Sequence, residues 1–490
     1  RSPYLDVTGF DTSLVTDMSF MFAECASVTS LDLSSFRTSL VEDMQGMFTY
    51  TLKLRSIQLD AQKFDTSKVT DMAYMFSICP SLTSVDISHF NTQKVTNMYS
   101  MFTYTLLTSI DLSNFETENV VDMSKMFDNC VYIKKLDLRK FNTRNVRDMS
   151  FMFNSCNELT SIQFSSNFDT SQVTDMQLMF YKCRYLTNLD LSSFNTRNVE
   201  NFSGMFGLCY GLTSLDLSSF RDNQAINMTS MFMSCQSLES VDISKMYTSD
   251  VTTMDNMFFN CYSLKYLNLK SFNTKSLKSM SYMFTGCEKL TSIDLNIDTF
   301  DTSLVTDMSH LFQTCSALEY IDVSNFNLRN VVNMQSMFLD CKSIKNLNTK
   351  NWVTSSANEL DFLFGNNEKL EFLDLGNLNL GKVKSMAFMF QNCASLTSII
   401  LPKFENTPLN NLFGMFQNCF SLTNLDLTGF DTKNVVNMAS MFKNCAKLKQ
   451  LKLSNFDTSN VNNMNSMFTK CSSLESLDIS SFTIEKVTDL

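Results

Sequence analysis

Glycine, proline and histidine are scarce in this chain, and their scarcity removes several kinds of functional site. The 490 residues include 11 Gly, 4 Pro and 2 His. There is no glycine-rich phosphate-binding loop. His89 and His310 occupy unrelated positions, and no paired carboxylates stand apart from the repeated ones, so acid–base catalysis finds no support. We therefore expect a protein that is not an enzyme and that needs no cofactor.

Positive charge and long apolar runs are missing as well. The net charge is −11, which disfavours binding to a phosphate backbone, so nucleic acid is not an expected partner. No apolar run approaches the ~18 residues needed to span a bilayer, so this segment has no predicted membrane span. The 15 cysteines include no Cys-x-x-Cys pair. Zinc-ligand spacing is thus absent, and no metal site is predicted.

One unit instead repeats from end to end. A Met-Phe pair, replaced twice by Leu-Phe, recurs eighteen times, mostly 26 residues apart. A period in this range is typical of a solenoid, in which each repeat forms one coil, here called a rung. We expect residues 1–490 to form a single continuous solenoid, truncated within a repeat at both ends. Residues 347–412 are its least regular rungs.

Two hydrophobic periods share the unit, which reads Leu-x-x-Leu-Asp-Leu-Ser-x-Phe-Asp-Thr-x-x-Val-x-x-Met-x-x-Met-Phe-x-x-Cys. Leu-Asp-Leu alternates like a short strand with Asp outward. The stretch from Val to Cys spaces apolar residues three and four apart, like a helical stripe, although its first part can equally be extended. The predicted fold class is an α/β solenoid of the leucine-rich-repeat type with 18 rungs of about 26 residues. It has a parallel β-sheet on one face and short helical or 3-10 turns on the other, with or without short second strands.

The unit resembles the leucine-rich repeat of BspA-like surface proteins, in the variant also found in mycoplasma lipoproteins. The likeness is carried by Phe64-Asp65-Thr66-Ser67-Lys68-Val69-Thr70-Asp71-Met72, then Met75-Phe76 and Cys79, then Leu82-Thr83-Ser84-Val85-Asp86-Ile87. The resemblance implies a curved right-handed solenoid that is secreted or surface-attached, binds other proteins in adhesion and has no enzymatic activity. It implies no binding residue position by position.

The outward strand position is the first candidate for binding. Stacked carboxylates repel one another across neighbouring strands, so Ser and Thr hydroxyls, Lys side chains, a bridging Ca²⁺ ion or a basic or hydroxyl-rich partner must offset them. The alternative is a solvated face that the carboxylates keep soluble. Either way we expect the strand face to be the more acidic one. The residues of this acidic ladder are Asp32, Asp86, Asp111, Asp137, Asp190, Asp216, Asp242, Asp294, Asp322, Asp374, Asp426 and Asp478.

Cysteine forms a second column, with one residue in most rungs. Neighbouring rungs bring Cα atoms within disulfide range, but parallel side chains in register point the same way. Cys25 and Cys79 adjoin rungs that carry Thr51 and Thr105 in this position, so neither has a cysteine neighbour. We predict a buried ladder of reduced thiols, with disulfides or metal as the alternatives.

Two glycosylation sequons, at Asn201 and Asn227, occupy one column on adjacent rungs. Taken together, the sequence predicts an extracellular or cell-surface scaffold for adhesion that binds a protein or glycan ligand. Two alternatives stay open: a structural component of an extracellular filament or coat, self-associating through uncapped ends, and an intracellular protein-interaction scaffold.

Overall fold

The computed structural model describes residues 4–403 and 407–490. These described residues fall into two compact units, one within Arg1–Tyr247 and one within Thr248–Leu490. In each unit the chain winds as a β-solenoid whose rungs pair with the next about 26 residues along the sequence. That the two units make one continuous stack stays a prediction. Residues 404–406, within the stretch expected to be least regular, lie outside the described part.

The Leu-Asp-Leu segments form strands in parallel register, as expected. Leu31 pairs with Ile57, and Leu267 with Ile293, one repeat apart. Regular strands pair only two at a time, however, so each unit contains three two-stranded sheets in place of the expected continuous one. Single bridges, Tyr4 to Ser30, Ser292 to Tyr320 and Asn346 to Phe372, extend three of these sheets by one rung. The first unit contains β1 (Ser30–Asp32), β2 (Ser56–Gln58), β3 (Lys135–Asp137), β4 (Ser161–Gln163), β5 (Ser214–Asp216) and β6 (Ser240–Asp242). The second contains β7 (Tyr266–Leu269), β8 (Ser292–Leu295), β9 (Phe372–Asp374), β10 (Ser398–Ile400), β11 (Gln450–Lys452) and β12 (Ser476–Asp478).

The expected helical or 3-10 face is wrong, because residues 4–403 and 407–490 contain no helix. The stretch from the polar residue before the first Met to the Cys, here called the arc, is a series of tight turns. In the arc 148–156, the amide of Met152 bonds to the carbonyl of Met149 at 3.2 Å. Phe151 and Ser155 both have φ of 58°. A positive φ at the third residue of such a turn is the mark of a type II turn.

Alternate amides of the arc bond to the next rung rather than within their own. The amide of Phe151 donates to Gln177, and that of Phe153 to Met179, both at 2.9 Å. This arrangement repeats at the strand spacing of about 4.8 Å. A helix is about 10 Å across and cannot repeat at that spacing. The apolar residues three and four apart therefore belong to stacked turns, and their periodicity imitates a helical stripe.

Single-residue parallel bridges at the start of the arc run through each unit without a break. They stand where the predicted fold class allowed short second strands, although each bridge is only one residue long. In the first unit they join Asp17, Asp43, Asp71, Asn97, Asp122, Asp148, Asp175, Asn201 and Asn227. In the second they join Thr253, Ser279, Asp307, Asn333, Glu359, Ser385, Asn411, Asn437, Asn463 and Asp489.

The core is a set of stacked columns of one residue type each. The arc Phe rings lie nearly parallel, with Phe180 5.5 Å from Phe153 and 5.7 Å from Phe206 between centroids. The less regular stretch keeps this pattern, because Trp352 replaces the corner Phe, is fully buried and stacks 6.2 Å from Phe338. Its indole N–H donates to the carbonyl of Val323 at 3.0 Å. The deviation in sequence is thus absorbed inside the core.

Candidate functional site

All twelve side chains of the acidic ladder point away from the core and are exposed or half-buried. In β1, Asp32 stands between Leu31 and Leu33, which are buried. Asp216 and Asp242 of β5 and β6 lie directly opposite each other. The outward direction predicted for the ladder is therefore confirmed, whereas its role in binding stays a prediction.

These carboxylates also close the turn that follows each strand. The Oδ1 atom of Asp216 accepts the backbone N–H of Ser218 at 2.8 Å, and Asp190 does the same with Ser192 at 3.0 Å. A side-chain oxygen that accepts from a backbone amide two residues later replaces a tight glycine turn. This local bond engages one carboxylate oxygen with the backbone of the same turn.

Hydrogen bonding to the ionised form lowers the pKa of most ladder residues. The backbone N–H and the hydroxyl of Ser218 lower the pKa of Asp216, and Ser34 acts likewise on Asp32. The pKa of Asp137 is lowered to about 2, chiefly by the guanidinium of Arg139, which contacts both carboxylate oxygens. The ladder thus carries negative charge at neutral pH, and its neighbouring hydroxyls offset part of the repulsion.

Cations neutralise only single members of the ladder. Arg139 pairs with Asp137 at 2.6 Å, and Lys270 pairs with Asp294 at 2.7 Å. Within residues 4–403 and 407–490, no group of three or more His, Cys, Asp or Glu side chains is placed to hold a metal ion. The hydroxyl explanation therefore has the widest structural support among those offered for the stacked carboxylates.

The cysteine column is a ladder of free thiols, as predicted. All fifteen cysteines are free, and all but Cys25 and Cys471 are buried. Most thiols in the ladder donate to a Phe carbonyl of the preceding rung; Cys156, for example, lies 3.2 Å from the carbonyl oxygen of Phe127. Burial raises the pKa of Cys79 to about 11 and that of Cys130 to about 12. Such thiols hold little thiolate at neutral pH and are poor nucleophiles and metal ligands.

Substitutes in that column also donate a hydrogen bond to a Phe carbonyl, either in the preceding rung or in their own. Asn367 donates its side-chain amide to the carbonyls of Phe338 and Phe364 at 2.8 and 2.7 Å. The hydroxyl of Thr51 donates to Phe48 at 2.6 Å. The position therefore requires a small donor for a buried carbonyl, which explains why Cys, Thr and Asn all occur there.

The two sequon asparagines are structural members of the bridge ladder. The side-chain oxygens of Asn201 and Asn227 accept the backbone N–H groups of Ser203 and Thr229 at 3.0 and 2.9 Å. Both side chains are half-buried. These turns use the side-chain oxygens and not the nitrogens to which a glycan would be attached, so the use of both residues as glycan acceptors stays a prediction.

Sequence reasoning overlooked the other outward strand column, which carries Tyr266, Tyr320 and Phe372, all exposed, in the second unit. The signal was present, because these aromatics stand where most rungs have Ser. The described residues also include no helix that could cross a membrane.

A family model described as "Mycoplasma protein of unknown function, DUF285" matches residues 4–57, 50–165, 131–240, 157–266, 209–296, 288–404 and 410–490. The chain belongs to the DUF285 family. The overlapping matches along nearly the whole sequence follow the internal repeat. The DUF285 description assigns no function, and no curated protein matches this chain.

Solved structures similar to this DUF285 chain include bacterial leucine-rich repeat proteins. One from Bacteroides ovatus is 16% identical, covers 97% of this chain and 87% of its own, and has a TM-score of 0.27. One from Eubacterium ventriosum is 15% identical, with coverages of 83% and 87% and a TM-score of 0.33. A leucine-rich cell surface protein from Faecalibacterium prausnitzii is 15% identical, with coverages of 71% and 83% and a TM-score of 0.30.

Proposed function

We propose that this DUF285 chain is a non-enzymatic scaffold, extracellular or attached to the cell surface, that binds a protein or glycan along its strand face. The repeated architecture supports this, because stacked rungs present the same side chains in lines over a long surface. The resemblance to BspA-like repeats supports the surface location.

The outward carboxylates, each fixed by a backbone amide, are the observation that carries the proposal. Asp190, Asp216 and Asp242 occupy three successive rungs, with Oδ1 bonded to the amide two residues later. Because the backbone already orients these Asp side chains, they lose little conformational entropy when a partner binds them. A row of oriented acceptors favours a partner rich in hydroxyl or cationic groups, since complementary charge promotes encounter and sets specificity.

The proposal is tested by binding the labelled chain to arrays of extracellular proteins and glycans. A variant carrying Asp190→Asn, Asp216→Asn and Asp242→Asn keeps an oxygen for each turn and removes three charges. Since an exposed ion pair contributes about 0.2–1 kcal/mol, binding to array spots recognised through this part of the face should weaken roughly tenfold. It should also weaken as salt is raised.

A charge-matched control changes Asp11, Asp65 and Asp169 to Asn. These residues close turns in the same way, by accepting the amides of Ser13, Ser67 and Ser171, but they stand at the corner of the rung rather than on the strand. The control should bind like the parent. No binding to any spot would refute the scaffold proposal, and equal binding by both variants would remove the acidic ladder from it.

A further inference from the structure

Three exposed aromatic side chains share one column of the strand face in the second unit. Tyr266, Tyr320 and Phe372 are 45%, 63% and 41% exposed. Tyr266 pairs with Ser292, which bridges to Tyr320, and Asn346 bridges to Phe372. An aromatic ring therefore recurs at every second rung, which at the strand spacing is about 10 Å. We call Tyr266, Tyr320 and Phe372 the aromatic row.

The residues between the rings are small and polar, so the ring faces are not covered from within the column. They are Ser292 and Asn346, followed by Ser398 beyond Phe372. The first unit has one aromatic residue in this column, Tyr4, which bridges to Ser30 and has no aromatic residue two rungs away. The other occupants of the column in that unit are Ser30, Ser56, Ser84, Ser109, Lys135, Ser161, Asn188, Ser214 and Ser240. The aromatic row is thus a local feature of the second unit and not a requirement of the repeat.

Carboxylates of the acidic ladder lie beside the row and are held in place. The hydroxyl of Tyr266 donates to Asp294 at 2.9 Å. Asp322 accepts the backbone N–H of Ser324 at 3.0 Å and its hydroxyl at 2.6 Å. Rings and acceptors therefore alternate on one surface with little freedom to rearrange.

The charge around Tyr320 and Phe372 is predominantly negative, whereas Tyr266 lies near Lys265 and the ion pair of Lys270 with Asp294. Glu319 and Glu371 are exposed next to Tyr320 and Phe372 in sequence, Asp322 and Asp374 follow two residues after these aromatics, and Lys345 is the cation in the rung between them. Four carboxylates against one ammonium repel anionic polymers and attract cationic ones. Aromatic faces beside carboxylates also suit ammonium groups, which bind over the ring.

We propose that the aromatic row binds an extended β-1,4-linked glycan bearing free amino groups. In such a chain every second hexose presents the same face, and this two-ring repeat is close to the spacing of the row. The apolar C–H face of a hexose packs on an aromatic ring, while its hydroxyl and ammonium groups bond to the neighbouring carboxylates. This inference rests on the proposed function, since it names the ligand class for one part of the strand face.

The experiment uses the full 490-residue chain and a glucosamine hexamer, with binding measured by calorimetry at low and physiological salt. The test variant carries Tyr320→Ser and Phe372→Ser, which places in the row the residue that neighbouring rungs already have, so folding is preserved. Two lost ring contacts of about 0.5–1 kcal/mol each predict roughly tenfold weaker binding. Asp322→Asn with Asp374→Asn should abolish most of the salt dependence.

The control variant is Phe420→Ser, which removes an aromatic that is 46% exposed outside the row, and it should bind like the parent. Cellohexaose, which has the same linkage without amino groups, should bind more weakly than the glucosamine hexamer. The proposal is overturned if the double serine variant binds the hexamer unchanged, if cellohexaose binds equally well, or if a lysine hexapeptide binds more tightly. In those cases array binding through Asp190, Asp216 and Asp242 would still stand, so failure of the row and of the scaffold are distinguishable.

Discussion

The strand and the arc of each rung differ in how far their hydrogen bonding extends. Strands such as β5 and β6 pair two at a time, whereas the bridges at the start of the arc connect every rung within a unit. The arc also contains the stacked Phe rings and the thiol donors. We infer that the arc holds successive rungs in register, and that this leaves the strand face freer to vary its outward residues.

The largest expected effect comes from removing a ring of the arc. Phe416 is fully buried, between Phe390 at 5.5 Å and Phe442 at 6.0 Å. Phe416→Ala should lower the free energy of unfolding by about 3–5 kcal/mol, because it removes contacts on both sides and leaves a cavity. The fluorescence of Trp352, the one tryptophan, reports urea unfolding of the second unit.

The matched change in the strand is Leu427→Ala, at a residue only 1% exposed in a segment that forms no strand pair. This change should lower the free energy of unfolding by less than Phe416→Ala does, toward the lower end of about 2–5 kcal/mol. A greater loss for Leu427→Ala than for Phe416→Ala would reverse the comparison between arc and strand.

An intermediate effect is expected from the asparagines of the arc. Asn392 has φ of 59°, and its side-chain amide donates to Asn366 at 2.7 Å while its oxygen accepts from Asn418. Asn392→Ile places a β-branched residue in the left-handed region and breaks both bonds, at a cost of about 2–3 kcal/mol.

The reverse change tests the same reasoning in the first unit. Ile78 occupies the equivalent position with φ of 55°. Ile78→Asn should raise the thermal midpoint, measured by circular dichroism, because Asn tolerates this conformation better. A drop in the midpoint would show that the side chain of Ile78 matters more than its backbone.

The smallest expected effect separates the acids of the two regions by pH. Burial raises the pKa of Asp361 in the arc, so the folded chain binds this proton more tightly than the unfolded chain does. The resulting stabilisation is present at pH values below the ordinary pKa of Asp and is lost as pH rises through the raised pKa. Asp361→Asn should therefore stabilise the second unit at neutral pH, by less than about 1 kcal/mol because the group is only partly buried.

Asp426 on the strand face behaves in the opposite sense. The backbone N–H and hydroxyl of Thr428 lower the pKa of Asp426, so its ionised form stabilises the folded chain. This stabilisation is present at pH values above the ordinary pKa of Asp and is lost as pH falls through the lowered pKa. Asp426→Asn should give no gain at neutral pH. Urea midpoints of both variants at pH 3 and pH 7 check the two signs, and a gain for Asp426→Asn alone would contradict them.

The repeat, its strands and the buried thiols could be predicted because each leaves a period in the sequence. The alternation in Ser30–Asp32 and the recurring Cys are examples. The arc could not be predicted in the same way, since the apolar spacing from Met149 to Cys156 fits a helix as well as stacked turns. What decides between them is bonding to the next rung, such as Phe153 to Met179, and that is a contact between distant residues.

The candidate site was predictable only in part. The alternation put Asp216 and its equivalents on the outside. It could not show that a residue such as Asp216 accepts a backbone N–H and so stabilises the turn after the strand. The aromatic row was missed because its members stand on alternate rungs, which breaks the single-rung period that guided the reading. A two-rung pattern becomes meaningful only when the register joins Tyr266, Ser292 and Tyr320.

The thiol ladder has a consequence for how this protein is made. A folded rung hides its sulfur behind a Phe carbonyl, as Cys183 does with Phe153 at 3.2 Å, while the newly synthesised chain exposes every sulfur to oxidants. If the chain folds in the oxidising environment that the proposed surface location implies, each rung must form before its cysteine is oxidised, because a wrongly bridged chain could no longer pack as stacked rungs.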